Sequence, residues 1–136
     1  SKGQGSYLNK TRLRVSEIKG LKNSLICNSF HGGQHLEPKF DQLTLIRNLY
    51  GNSLTLRRTG STALDLAFVA SGKLDAFLGY GLKIWDFAAG ALLVMESGGF
   101  VNDFKGEEDI FSSHHLVAGN KSCVDEIDKE IKKSLL

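Results

Sequence analysis

The sequence predicts an α/β fold: a mostly parallel mixed sheet flanked by helices on both faces. The first observation behind this is alternation. Short apolar, strand-like runs exchange with helix-like amphipathic segments for most of the length, as in chains whose strands are joined through crossover helices. The second is bulk: 136 residues, 41% hydrophobic and 24% charged, make one ordinary domain with a sizeable core. The third is punctuation. Fifteen glycines against a single proline supply tight turns and close backbone approaches.

The same numbers exclude some functions. A net charge of +2 is too small to make nucleic acid the main partner. Cys27 and Cys123 share no C-x-x-C spacing, so they read as reduced thiols of a cytoplasmic protein. No apolar run is long enough for a membrane span, and no stretch has the make-up of a signal peptide.

The opening, SKGQGSYLNKTRLRVS, lacks a methionine and is expected to be a cut end with more protein upstream. Tyr7-Leu8 and Leu13–Val15 around Asn9-Lys10 read as strand, turn and strand. Asn23 to Phe30 is an apolar run expected to be a buried strand, opening into the glycine loop HGGQH. Pro38 and Gly51 bracket a helix whose core stripe is expected to be Phe40, Leu43, Ile46 and Tyr50. Ser53 to Thr59 follows as a strand with Leu54 and Leu56 inward, then Ala63 to Ala70 as a helix closed by Gly72, with Thr62 and Asp65 at capping-box spacing. Asp75 to Leu82, Phe100 to Phe104 and His115 to Ala118 are further strands. The last helix is expected to be capped by Ser122, with Asp125 three residues on, and to bury Val124, Ile127, Ile131 and Leu135.

Leu82 to Gly99 organises the rest. Every residue from Phe87 to Met95 is apolar or small, so the helix is expected to be buried all round. Trp85-Asp86 sits on its first turn, where burying a carboxylate is costly without a positive partner. A helix N-terminus offers one such partner and a divalent metal a stronger one; residue pattern alone leaves both open. Parallel α/β sheets bind ligands at the carboxyl ends of strands beside helix N-termini. Two junctions fit, Lys83-Ile84-Trp85-Asp86 and Arg58-Thr59-Gly60-Ser61-Thr62. At the second, Gly60 either lets backbone approach a ligand or only makes the turn, with Ser61 or Thr62 as N-cap. His31 and His35 have i,i+4 spacing, but Gly32-Gly33 between them argues against a helical zinc pair. His114-His115 is expected to be a surface pair and Asp103 a turn-side carboxylate. There is no G-x-S-x-G elbow and no P-loop.

These motifs carry a resemblance. WDFAAGALLVMESGG (Trp85 to Gly99) is similar to the second signature of the inositol monophosphatase family, W-D-x-A-A-G followed by E-[AS]-G-G. KGQGSYLN resembles the family's K-G-x-G-A-[FY] segment, and RRTGSTALDLAFVASGKLDAF its R-x-x-G-S-[AT]-A-L-D-L-x-x-V-A-x-G-x-x-D segment. Together they span nearly the whole chain.

The resemblance implies the C-terminal half of a layered α/β/α/β/α sugar phosphatase fold. Residues 1–16 would be the remnant of a preceding sheet and residues 17–136 an α/β sandwich. It implies Mg²⁺-dependent hydrolysis of a phosphomonoester, an inositol monophosphate or related sugar-alcohol phosphate. Asp86 then corresponds to a catalytic metal ligand that also lies near substrate hydroxyls, and Gly60, Ser61 and Thr62 to the substrate-lining segment. The family's D-P-[IL]-D-G-T signature, and the glutamate before it, are not in these 136 residues. The chain alone is therefore expected to lack half of the site and to be inactive. Family members commonly form homodimers. A glutamate usual seven residues before the W-D aspartate is replaced by Gly79, which puts inositol recognition in question. Two alternatives stand beside this reading. One is a nucleotide bisphosphate phosphatase. The other is a binding role with RNA polymerase or RNA, as for bacterial relatives in the family, supported here only by the clusters Lys10-Arg12-Arg14 and Lys129-Lys132-Lys133.

Overall fold

The computed structural model describes residues 1–31 and 38–136. The chain opens on an antiparallel hairpin of β1 (Tyr7–Leu8) and β2 (Thr11–Arg12). Asn9 and Lys10 turn it at φ 49° and 69°, the two positive values that a tight hairpin turn twisted like its strands requires. The strand–turn–strand order of this segment therefore holds, but the second strand lies at Thr11–Arg12 and not at Leu13 and Val15, because a two-residue turn pairs the residues directly after it.

A five-stranded sheet forms the centre, from β3 (Leu25–Phe30), β4 (Thr55–Arg57), β5 (Ala76–Tyr80), β6 (Phe100–Asn102) and β7 (His115–Gly119), in the spatial order β4-β3-β5-β7-β6. Four helices flank it: α1 (Gln42–Asn52), α2 (Thr62–Ala70), α3 (Ile84–Glu96) and α4 (Lys121–Ser134). The sheet is mixed, as expected, with β3 parallel to β4 and β5, and β7 antiparallel to β5 and β6. The parallel share is smaller than the alternation suggests. No helix separates β6 from β7, so β7 returns antiparallel without a crossover.

The central strand β5 shows how the two faces are divided. Successive side chains of a strand point to opposite faces. Ala76, Leu78 and Tyr80 enter a core with Leu45 and Leu49 of α1 and Val124, Ile127 and Ile131 of α4. Phe77 enters the other core, with Leu66 and Val69 of α2 and Phe87, Ala91 and Val94 of α3. Cys27 and Cys123 are free and buried, one in each core. Burial, with Asp65 beside it, pushes the Cys27 thiol up to about 12; burial, with Asp75 nearby, pushes that of Cys123 to about 11. No helix among the described residues is long and apolar enough to cross a membrane.

Several local expectations change. Pro38 does not open α1; the helix starts after Asp41, whose side chain accepts from the Thr44 amide. Phe40 stays in extended chain, bridged to Leu135, so the stripe drawn through it has the wrong phase. Leu45 and Leu49 are buried, while Leu43 and Tyr50 are 79% and 69% exposed. Leu54 is also exposed, because β4 begins one residue later. Helix α4 is capped by Asn120, which accepts from the Cys123 amide. Ser122 instead accepts from the Gly20 amide at 2.7 Å. Leu135 lies beyond the helix and is 42% exposed. His115 is buried, stacked on Tyr80 with ring centroids 5.9 Å apart, and its Nδ1 accepts from the Phe104 amide. Only His114 of that pair is exposed. Asp103 is a turn-side carboxylate as expected, accepting from the amides of Lys105 and Glu107. His35, and with it the spacing to His31, lies outside the described residues.

Two sites test the packing. A Cβ on Gly90 of α3 would stand 2.6 Å from Leu66 Cβ and Cδ1 of α2, so the two helices approach as closely as they do because residue 90 has no side chain. Gly90→Ala is expected to destabilise the fold by about 2 kcal/mol through overpacking, measured by denaturant unfolding. The second is Asp128, where α4 meets β6. Asn102 Nδ2 donates to Asp128 Oδ2 at 3.0 Å, while Asn102 Oδ1 and Asp128 Oδ1 are buried without partners. Burial above all, then Asp125 and Asp103, raises this carboxyl above its ordinary range, against the Asn102 bond and Lys132. A carboxyl raised on folding contributes stability fully below its unfolded value and loses it as pH rises through the folded one. Asp128→Asn is therefore expected to raise Tm at neutral pH, with the gain shrinking at acidic pH. Thermal scans across pH check this, and an equal gain at every pH would refute it.

Candidate active site

Strands β4 and β5 lie either side of β3 and run the same way. Their carboxyl ends lead into α2 and α3, so the N-termini of both helices come to the same end of the sheet. The two junctions singled out in the sequence are thereby brought together, one carrying Gly60, Ser61 and Thr62 and the other Asp86.

At the first junction Gly60 has φ +87°, a conformation that suits glycine. Nothing lies within 4 Å of where its Cβ would be. Ser61, not Thr62, is the N-cap; its side chain accepts from the Leu64 amide at 3.3 Å. Thr62 is buried, whereas Gly60 and Ser61 are exposed. Asp65 does not close a capping box. Its side chain is fully buried and its Oδ1 accepts from the Thr59 hydroxyl at 2.6 Å. Burial raises this carboxyl, and the Thr59 hydroxyl and the neighbouring Cys27 thiol work against it.

At the second junction Gly81 turns the chain at φ +78°. A Cβ there would stand 2.7 Å from the carbonyl oxygen of His31. Asp86 occupies the third position of α3, and its Oδ2 accepts from the Lys83 amide at 2.9 Å. Among the described residues its Oδ1 has no hydrogen-bond partner. The cap geometry is therefore real, and it leaves one carboxylate oxygen available. The expected all-round burial of this helix does not hold. Phe87, Gly90, Ala91 and Val94 are buried, but Trp85 is 78% exposed and Ile84 and Met95 are also exposed. Asp86 is half-buried.

A free carboxylate oxygen is the hard donor that Mg²⁺ takes, so Asp86 fits a metal ligand. It would be one ligand only. Among the described residues no group of three or more His, Cys, Asp or Glu side chains could hold a metal ion. Gly79, on the α2–α3 side of β5, leaves no room for a side chain unless its neighbours move. A Cβ there would meet Leu82 Cδ1 at 2.6 Å and the Phe77 ring at 3.0 Å. The structure adds neighbours that spacing could not reveal. His31 donates its amide to Tyr80 O at 2.8 Å, and His114 O accepts from the Leu82 amide at 2.8 Å. Both bring exposed histidines from distant segments to the turn before Asp86. The basic residues Lys10, Arg12, Arg14, Lys129, Lys132 and Lys133 are exposed.

The model of the inositol monophosphatase family matches residues 1–135. The Nus factor SuhB of Pseudomonas aeruginosa is 45% identical over 124 residues, which are 90% of this chain and 46% of that protein. An inositol-1-monophosphatase of Mesorhizobium japonicum is 41% identical over 135 residues, 98% of this chain and 50% of that protein. The crystal structure of the extragenic suppressor protein SuhB from Bartonella henselae superposes with a TM-score of 0.88 at 39% identity, covering 97% of this chain and 50% of that one. The chain thus spans about half the length of these relatives.

The open space around Gly60 isolates its backbone requirement. Gly60→Ala is expected to cost roughly 1 kcal/mol, the penalty of a Cβ in the left-handed region. Equilibrium unfolding checks this, and an unchanged midpoint would mean that the turn does not need its positive φ.

Proposed function

Since the chain belongs to the inositol monophosphatase family, we propose that the whole protein is a Mg²⁺-dependent phosphomonoesterase acting on an inositol monophosphate or related sugar-alcohol phosphate. The observation that carries this reading is the pairing of Asp86 with the Gly60–Thr62 turn at one end of the sheet. Asp86 offers a free carboxylate oxygen there as one metal ligand, and the α2 N-terminus supplies amides and hydroxyls suited to a polyol phosphate. Bound Mg²⁺ would lower the pKa of a water and offset the charge on the phosphate oxygens. The residues of this chain orient: Asp86 is held by the Lys83 amide, and Ser61 by its cap to Leu64. With Gly79 pressed against Leu82 and Phe77, no side-chain carboxylate faces the polyol from that position. This supports acceptance of several sugar-alcohol phosphates over strict recognition of one inositol ring.

This chain is read as residues 1–136 of the C-terminal half, with the remaining metal ligands on the other half. Two observations support that: the chain covers about half of its relatives, and α3 leaves large apolar side chains bare. Ile84, Trp85 and Met95 are exposed along it, the kind of residue that a further layer covers. By itself the chain is expected to turn over no substrate appreciably.

In the full-length protein, Asp86→Asn is expected to lower kcat at least about a hundredfold with folding intact, as for loss of a group that binds the catalytic metal. Phosphate release with a Mg²⁺ titration over inositol, sugar-alcohol and nucleotide bisphosphate substrates checks this. Undiminished turnover would remove the role of Asp86, and a preference for the nucleotide would favour the bisphosphatase alternative. A second reading, association with RNA polymerase or RNA, is favoured by the 45% identity to a protein named as a Nus factor. Its support in this chain is the exposed basic clusters. Salt-dependent capture of polymerase or RNA that survives Asp86→Asn would separate it from catalysis, and no binding near physiological salt would dispose of it. Homodimerisation, common in the family, is read by sedimentation of the same preparation.

A further inference from the structure

Among the described residues Asp65 is a fully buried carboxylate next to the proposed site, and the phosphatase chemistry gives it no task. Its Oδ1 takes the Thr59 hydroxyl at 2.6 Å, and among the described residues its Oδ2 has no hydrogen-bond partner. Burying a carboxylate so sparsely satisfied is unfavourable, and an apolar side chain of similar size would suit the α2 core better. What the carboxylate does is visible one step further out. The Thr59 oxygen that donates to Asp65 also accepts from the Ser61 amide at 3.2 Å. The Ser61 carbonyl in turn accepts from the Asp65 amide at 2.9 Å. Thr59, Ser61 and Asp65 therefore close a ring of hydrogen bonds around Gly60. Nothing lies within 4 Å of where a Gly60 Cβ would stand, so the ring, and not a close neighbour of residue 60, defines the backbone there.

We propose that Asp65 is a positioning residue, fixing the Thr59–Gly60–Ser61 turn through the Thr59 hydroxyl and so aiming the α2 N-terminus at the polyol part of the substrate. The inference rests on the proposed function for the identity of that ligand, and on the hydrogen-bond ring for the positioning itself. Asp65 touches no substrate; it acts through Thr59. Its effect belongs to substrate binding, because the turn carries no reacting atom.

The test uses the full-length protein with Thr59→Val, Thr59→Ala and Thr59→Ser. Valine preserves volume and removes the hydroxyl, alanine removes it without a second methyl, and serine restores it. Either of the first two is expected to raise KM about tenfold with kcat changed less than about threefold, the pattern of lost uniform binding. Serine is expected to return KM to within about twofold of wild type. Amide hydrogen exchange at Ser61 is expected to quicken in the valine and alanine proteins and recover in the serine protein. A KM unmoved by loss of the hydroxyl, a serine variant no better than valine, or unchanged exchange would each overturn the proposal. If the wild-type protein hydrolyses no phosphomonoester, the reading of the site fails by itself, and the exchange rates alone then decide whether Asp65 holds the turn.

Discussion

The close approach of α2 to α3 is the contact on which the arrangement of the site depends. Where Gly90 meets Leu66 there is no room for even one more carbon. Both helices follow parallel strands that flank β3, so they lie side by side with their N-termini at one end of the sheet. A wider gap would leave both helices on the sheet but separate their ends. The side-by-side placement of the two helix starts thus rests on a close contact that the absence of a side chain at residue 90 allows.

The two helix starts are built differently. Asp86 bonds to backbone of its own segment and retains an oxygen for another partner, so capping and ligation are compatible roles for one carboxylate. The Gly60 turn is held from beneath by a buried acid with a single hydroxyl bond. A ligand site needs such rigidity where it is exposed, since ordering a loose turn on binding would lower affinity. The bare apolar side of α3 completes the picture. A helix apolar on all sides has two surfaces to bury, and this chain's sheet covers only one of them.

Much of the element sequence was legible because strands and helices leave periods of 2 and 3.6 in the residue pattern. The buried run Leu25–Phe30, the hairpin at Asn9-Lys10 and the helix from Trp85 carry strong local signals. The errors lie where a local signal had competitors. Pro38 resembled a helix start, but Asp41 has the side chain that can accept an amide, and the shift moved the buried face of α1 from Leu43 to Leu45. Ser122 and Asn120 could both cap α4, and the demand of the Gly20 amide decided between them. His115 resembled its exposed neighbour because a strand's first residue shows its face only once its partner strand is known.

By itself, then, the sequence determined the α/β class, the helix-start character of residues 60–62 and 86, and the family, since each is written in local spacing or motif. Tertiary structure alone decided three further matters. It made β7 antiparallel, because strand direction depends on what the intervening loop can cross. It tied Asp65 to Thr59, because a buried carboxylate takes whatever donor folding brings within reach. It also exposed Trp85 and one side of α3, because a residue's burial depends on which layers are present to cover it.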